Sequence, residues 1–571
     1  MAFLAHRTSR GKKYWSIVES RRVNGKPKHV ILEYLGTADT LIERLKNDSN
    51  MSISSNSHGD TTALLNQAEE LDIVNIINKH VSAGATGKKP IRDGLTVGAS
   101  LLLAAIGRAC HPTSKMGWYD WCKTTSLEYC LKSSFKALDS QHFWDQMNVL
   151  PEETISCIEE EIVLRLLKTY DVPLDTLLYD TSNFFTFIDS SNKNCDIAQR
   201  GKNKQKRYDL RQIGLALLVS RKHQLPLFHK TYEGNKNDYT VFSETLNELS
   251  SRIKTITIEL KDVTLVFDKG NNTKDNFKKI ASQKLYYVAG LVPSHFKDLI
   301  KEANKHFEPI SINGEEIPAW RVKRTIWGEE RTCVVVISKR LKEGQIRGIH
   351  QHLEKKYKSL EELKKQLENP KRTKNLSSED IQGRLSNIIK GQFIDDILHY
   401  NLFALDDGGI SFTYYIDHEA FDNLKNNILG RKILVTNRHD WTSEEIILAY
   451  RGQSKVEYAF RTIKNPYHLS IRPQFHWTDQ KIKVHFLICI IGYLLTMVAY
   501  MKAKEKAGYQ KSVNRFMEEL KNIRLSFQVK KKSRKVKYQL ETIPKDLRKV
   551  ANVLGVTDKN IRVPLNVGVY V

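Results

Sequence analysis

Tyr450, Gln453, Glu457, Phe460 and Lys464 recur at steps of three and four residues. A helix with that spacing carries them on one face, with a carboxylate mid-stripe and an ammonium two turns, roughly 10 Å, beyond it. One acid and one cation then face a common ligand. Two more carboxylates stand upstream in apolar, strand-like runs, Asp180 in LDTLLYDTSNFFTF and Asp268 in DVTLVFDKG. Burying either unpaired is costly, so each must meet a cation, a donor or water. Three carboxylates supply the hard oxygen ligands that suit magnesium. Two such ions about 4 Å apart stabilise the attacking and leaving oxygens of an in-line displacement at phosphorus. Plainer readings stay open here: an amphipathic core helix with Glu457 and Arg461 as a surface pair, and aspartates at a strand edge or in a turn.

The elements that must position these groups are marked in the chain. Thr442 with Glu445 forms a capping box, and Asp440 and Glu444 add negative charge at the same end, so one helix runs from Thr442 through Lys464. Asp268 precedes Lys269-Gly270 and closes its strand at the C-terminal end, where open α/β sheets build their sites. QIGLALLVS (212–220) and PLFHKTYEG (226–234) read as strands, and Asp238 to about Ile253 as a helix. The succession of strand, hairpin return, third strand, helix and fourth strand, with acids on the first and fourth and on a later helix, is a ribonuclease-H-like layout.

YDTSNF, VFDKGNNT and AYRGQSKVEYAFRTIK together resemble the DDE transposases of prokaryotic insertion sequences, in particular the branch with a Tyr-x2-Arg-x3-Glu-x6-Lys signature. Tyr450, Glu457 and Lys464 fall in register, whereas the arginine position holds Gln453, with Arg451 and Arg461 as nearby cations. The likeness spans roughly residues 90 to 500. It implies a transposase that cuts element ends and joins them to target DNA, with Asp180, Asp268 and Glu457 as catalytic and metal-binding acids. Asp180 would bridge two Mg2+ ions, replaceable by Mn2+, with Asp268 on one and Glu457 on the other. Water would attack first and the freed 3′-hydroxyl afterwards. Tyr450, Arg461, Lys464, Arg472 and Trp477 are the expected DNA contacts. The partners implied are double-stranded DNA, both terminal repeats and target, and a second copy of the chain in the DNA complex. A metal-dependent endonuclease of the same core and a catalytically silent DNA-binding protein are the alternatives.

Composition agrees with a polyanionic partner. Among 571 residues, Lys+Arg number 90 against 65 Asp+Glu, a formal charge of +25. The seven cysteines are scattered without a CxxC pair, which argues for a reducing compartment and against a zinc module. No signal-peptide run opens the chain, and the longest apolar run, Phe486 to Tyr500, is shorter than a membrane span and reads as a buried helix. A cytoplasmic, nucleoid-associated prokaryotic protein with no membrane and no small-molecule cofactor is expected.

The expected fold class is α/β: a ribonuclease-H-like catalytic core with a large β-rich plus helical insertion, preceded by an N-terminal β-hairpin and a helical DNA-binding domain. Residues 1–46 hold the hairpin, turning at Asn24-Gly25. The Ser/Asn-rich stretch 47–60 reads as a flexible linker. Residues 61–170 form the helical, candidate end-binding domain, with helices at Leu95–Ile106, Ser114–Leu131 and Ser140–Leu167. The core takes 171–292 and 431–500, the insertion 293–430, and a basic region 501–571. Within the insertion, Trp320 or Trp327 is a candidate to stack on a base, and a charged helical pair from about Gly344 to Lys390 is broken by Pro370. SFTYYID (411–417) and KILVTN (432–437) are expected to return to the core. His476 and His485 read as hydrogen-bonded support or DNA contacts, and the basic run 529–538 as an electrostatic DNA contact.

Overall fold

Runs rich in β-branched and aromatic residues from Thr176 onward build one mixed sheet of nine strands. They are β1 (Thr176–Thr186), β2 (Arg211–Ser220), β3 (Pro226–Glu233), β4 (Thr264–Phe267), β5 (Tyr286–Leu291), β6 (Glu308–Ile312), β7 (Glu315–Ile326), β8 (Glu329–Ile337) and β9 (Arg431–Thr436). Their spatial order is β6-β7-β8-β9-β5-β4-β1-β2-β3. β4 runs parallel to β1 and β5, and the other neighbours are antiparallel. The computed structural model describes residues 2–23, 26–48, 51–82, 89–256, 263–368, 377–405, 409–472, 474–530 and 536–556. The chain divides into two units, Tyr170–Arg461, and Met1–Thr169 together with Thr462–Val571.

In the first of these units, one sheet face is closed by aromatic packing. Phe242 of the helix Asp238–Ile256 lies 5.1 Å from Tyr179 and 4.9 Å from Phe267, ring centre to ring centre. Side chains alternate along a strand, so Asp180 and Asp268, each next to one of those aromatics, fall on the opposite face.

The expected insertion is not a separate β layer: β6, β7 and β8 extend the sheet through β9. Trp327 and Gly328, both at positive φ, form the turn between β7 and β8. Trp327 packs on Phe277 at 4.8 Å, and Trp320 stacks on His306. Residues 411–417 do not return to the sheet. Ile410–Ile416 pairs with Leu398–Ala404, and this hairpin shares an apolar core of Leu353, Leu360, Leu385 and Phe412 with the helices Lys339–Leu367 and Ser378–Ile389. Amphipathic helices need an apolar partner, and the hairpin supplies it. Pro370 lies outside the described residues.

In the other unit, Lys12–Val23 pairs with Lys26–Gly36, and a third strand, Ala2–Ser9, pairs with Lys12–Val23. Asn24-Gly25 lies outside the described residues. The supposed linker contains a strand: Met51–Ser57 pairs with Arg524–Lys530, which also pairs with Val536–Leu540. A partner far along the chain satisfies its backbone, overriding a composition that favours loops. These strands flank the basic run, whose residues 531–535 are outside the described set. Ser114–Leu131 is two short helices, Trp118–Cys122 and Leu127–Cys130, rather than one.

The helix Val97–Cys110, capped by the Thr96 hydroxyl, is buried along its length. It packs against Asp479–Ala507 so closely that a Cβ on Gly492 would stand 2.7 Å from the Ala105 carbonyl. Asp479–Ala507 is longer than its apolar run suggested, and by length and composition it could cross a membrane; here it is the buried core of the helical unit. The core boundary expected at residue 500 therefore falls inside a helix that packs with the N-terminal helices.

Candidate active site

Register brings the two aspartates together. Thr264, Leu265 and Val266 of β4 stand opposite Thr176, Leu177 and Leu178 of β1. Asp180 and Asp268 each lie two residues beyond the Leu178–Val266 pair, on the same face of adjacent strands about 4.8 Å apart. Asp180 sits within the long β1, half-buried, with one carboxylate oxygen accepting the Thr181 amide at 2.8 Å. Asp268 follows β4 and opens the short 3-10 turn Lys269–Asn271.

The third acid comes from the helix that the Thr442 capping box opens. The Thr442 hydroxyl accepts from the Glu445 amide, and the Glu445 carboxylate accepts from the Thr442 amide. Instead of one helix to Lys464 there are two, Ser443–Arg451 and Gln453–Ile463, joined at Gly452. A Cβ at Gly452 would lie 2.8 Å from the Ala449 carbonyl and 3.3 Å from Arg221, so this tight join depends on glycine. Lys464 lies in the turn just past the second helix.

The stripe divides its labour. The Tyr450 hydroxyl, expected on a DNA phosphate, donates to Asp268 at 2.9 Å. It reaches Asp268 over Gly290 of β5, where a Cβ would stand 2.4 Å from that hydroxyl. Gln453, in the signature's arginine position, is buried and donates to the Tyr179 carbonyl at 2.9 Å, tying the helix to the strand residue beside Asp180. Phe460 is buried, and Glu457 is exposed to solvent. Arg461 is also exposed, its guanidinium 4.9 Å from the Tyr458 ring.

Electrostatics shows that the acids sense one another. Burial, with the charges of Asp268, Asp238 and Glu457 adding to it, pushes the Asp180 carboxyl up to about 7. Burial, with Asp268, Glu457 and Asp180 adding to it, pushes the Tyr450 phenol well above its ordinary range, so it stays protonated and a donor. Asp238, which sequence reading passed over, opens the helix Asp238–Ile256 and accepts from the Thr181 hydroxyl at 2.8 Å. Its one sequence signal is its place as the first helical residue after β3. Lys432 on β9 is a second omission; it senses Asp268 and Glu457.

Arg472 and Trp477 belong to the other unit and are exposed. His476 and His485, by contrast, are interior there. Their rings are 4.9 Å apart, Lys115 Nζ is 2.9 Å from His476 Nε2, and His485 Nε2 is 2.9 Å from the Ile471 carbonyl. Burial holds both imidazoles far below their ordinary pKa, which makes them structural support and not DNA contacts.

A family model described as the transposase DDE domain matches residues 185–495, more than half of the chain, a stretch that contains Asp268 and Glu457 and begins after Asp180. A second, the N-terminal domain of IS1634 family transposases, matches residues 5–50. No curated protein matches the chain. Among solved structures, the chain is similar to one described as the cryo-EM structure of the piggyBac transposase synaptic complex with hairpin DNA. The TM-score is 0.38, with 11% identity over 80% of this chain and 79% of that one.

Proposed function

We propose, from the premise that the chain belongs to the DDE-domain transposase family and so cleaves and transfers DNA strands, that Asp180, Asp268 and Glu457 are its catalytic acids. The observation that carries this is the register that sets Asp180 beside Asp268, together with the mutual charge perturbation that includes Glu457. The strand order β3-β2-β1-β4-β5, with β1 to β3 antiparallel and β4 and β5 parallel to β1, supports reading this part of the sheet as a ribonuclease-H-like core.

DDE-domain transposases use divalent metal ions, and the donor set here fits magnesium in kind: carboxylate oxygens whose repulsion a divalent cation relieves. Among the described residues no group of three or more His, Cys, Asp or Glu stands at ion-holding spacing, and the Glu457 carboxylate is exposed to solvent. Asp180, Asp268 and Glu457 would hold the ions, which when bound stabilise charge on the attacking and leaving oxygens. Tyr450 aims Asp268 by donating to it, in place of the phosphate contact. Gln453 fixes the helix that presents Glu457. Arg461 on that helix, and Lys464, Arg472 and Trp477 in the other unit, are proposed to contact phosphates and bases of DNA. Element ends and target are double-stranded DNA, and a pair of copies brings two ends together.

The test is cleavage and joining of duplex DNA taken from the sequences flanking the coding region, in magnesium, by the intact chain and by Glu457→Gln. Loss of both steps by about a thousand-fold or more, with DNA binding retained, supports the assignment. Undiminished cleavage by the variant would falsify it, and cleavage without joining by the intact chain would leave a nuclease.

A further inference from the structure

The acids occupy one end and one face of the sheet, and the register continues across it to a lysine. Phe267 of β4 pairs with Ala289 of β5, so the position beside Asp268 is Gly290. Gly290 in turn pairs with Leu434 of β9, and Leu291 with Ile433. Lys432 is therefore the next residue of β9 on the face of Leu434 and Gly290, at the end of the sheet where Asp268 and Asp180 stand. The row reads Leu434, Gly290, Asp268, Asp180 across β9-β5-β4-β1, and Lys432 stands two residues beyond Leu434 on the same face. Two strand spacings, about 9–10 Å, and two residues along the strand, about 7 Å, separate Lys432 from Asp268, a gap that its flexible four-carbon stem crosses in part.

A charged residue is out of place there by composition. Lys432 is flanked in sequence by the buried Arg431 and Ile433, and its strand has neighbours on both sides. Yet its side chain is half-buried, not turned out to water. Its surroundings hold both signs of charge. Burial, Arg451 and Lys269 lower its pKa, while Asp268 and Glu457 oppose them. Lys269 directly follows Asp268, and Arg451 precedes the glycine join of the Glu457 helix. Arg451 is shared with Glu315 of β7 at 3.2 Å. Three cations thus stand at one rim of the acid cluster, with Asp268, Glu457 and Glu315 as their counter-charges.

We infer that Lys432, with Lys269 and Arg451 around it, forms a phosphate subsite that seats a phosphodiester of the bound DNA strand next to the one being cut. Lys432 is a positioning residue: its ammonium fixes the strand's register over the acids and takes no part in proton transfer. This rests on the assignment of Asp180, Asp268 and Glu457 as the catalytic acids.

The experiment uses the full chain as Lys432→Met and Lys432→Arg, with duplex DNA from the flanking ends. Each phosphate around the cleavage position is replaced singly by an uncharged methylphosphonate. Lys432→Met is expected to slow cleavage about 10- to 100-fold and to flatten the dependence of log affinity on log salt by about one. Lys432→Arg stays within a few-fold of the intact chain. One methylphosphonate position should slow the intact chain and have no further effect on Lys432→Met. If Lys432→Met does not fold, Lys432→Gln gives the same readout. An unchanged salt slope and rate overturns the inference. So does a slowed variant on which every methylphosphonate still acts in full, because the lysine then serves only as a structural counter-charge. Glu457→Gln is run in parallel. If it cleaves normally, the acid assignment itself falls; if it is inactive while Lys432→Met is normal, only the phosphate subsite falls.

Discussion

Asp180→Asn should stabilise the metal-free protein while abolishing its activity, and the effect should depend on pH. Burial and the neighbouring acids raise the Asp180 carboxyl from its ordinary 3.8 to about 7. The unfolded chain releases this proton near the ordinary value, the folded chain near 7, so between those values the folded state holds more protons and loses stability as pH rises. Below about 4 there is no penalty, and above about 7 it is complete. At 1.36 kcal/mol per pKa unit, a shift of roughly three units sets an upper bound of about 4 kcal/mol. Water at this half-buried site and relaxation reduce it, and about 1–3 kcal/mol is the working expectation. Asparagine keeps the acceptor for the Thr181 amide and carries no charge. In calorimetry with EDTA, the transition of the 170–461 unit should rise by several degrees at pH 8 and by none at pH 4. Magnesium at pH 8 should raise the intact protein's transition and not the variant's, because an ion bound to the folded form offsets the repulsion. A pH-independent difference between the two proteins, or none, would refute the picture of mutually repelling acids.

Tyr450→Phe removes the donor to Asp268, a hydrogen bond to a charged group worth about 1.5–3 kcal/mol. Cleavage should fall by about ten- to a hundred-fold with affinity for end DNA unchanged, as single-turnover assays and binding titrations would show; a loss of binding with normal turnover would return Tyr450 to the role of DNA contact. Gln453→Ala takes the amide donor from the Tyr179 carbonyl and should lower stability by about 1–3 kcal/mol in denaturant unfolding, with cleavage impaired through the Glu457 helix. Normal stability in that variant would mean the tie is idle.

The features that local chemistry dictates are legible in the residues. The Thr442–Glu445 capping box is realised as read, because its hydrogen bonds join groups three residues apart. The alternation of TLLYDTSNFFT puts Asp180 on its strand, and the end of TLVF puts Asp268 immediately past its own. The helix stripe from Tyr450 to Phe460 survives the join at Gly452, since the residue there keeps helical angles.

What depends on distant partners was not legible. The Ser/Asn-rich stretch at 51–57 becomes a strand only because Arg524–Lys530 offers it a ladder. The residues 411–417 pair with 398–404 and not with the sheet, a choice made by the apolar core they share with two charged helices. Gln453 looks like a failed arginine in the sequence and proves to be a clamp on the Tyr179 carbonyl, because its partner is far upstream. Asp238 and Lys432 are single charges without a motif, and only the packing of the Asp238–Ile256 helix and the register of β9 set them near the acids. Residue types and short-range spacing thus marked the three proposed acids, whereas the pairing of strands remote in the chain decided which side chains meet. Local hydrogen bonds and periodicity are written within a few residues; register and burial are settled by the free energy of the whole packed unit.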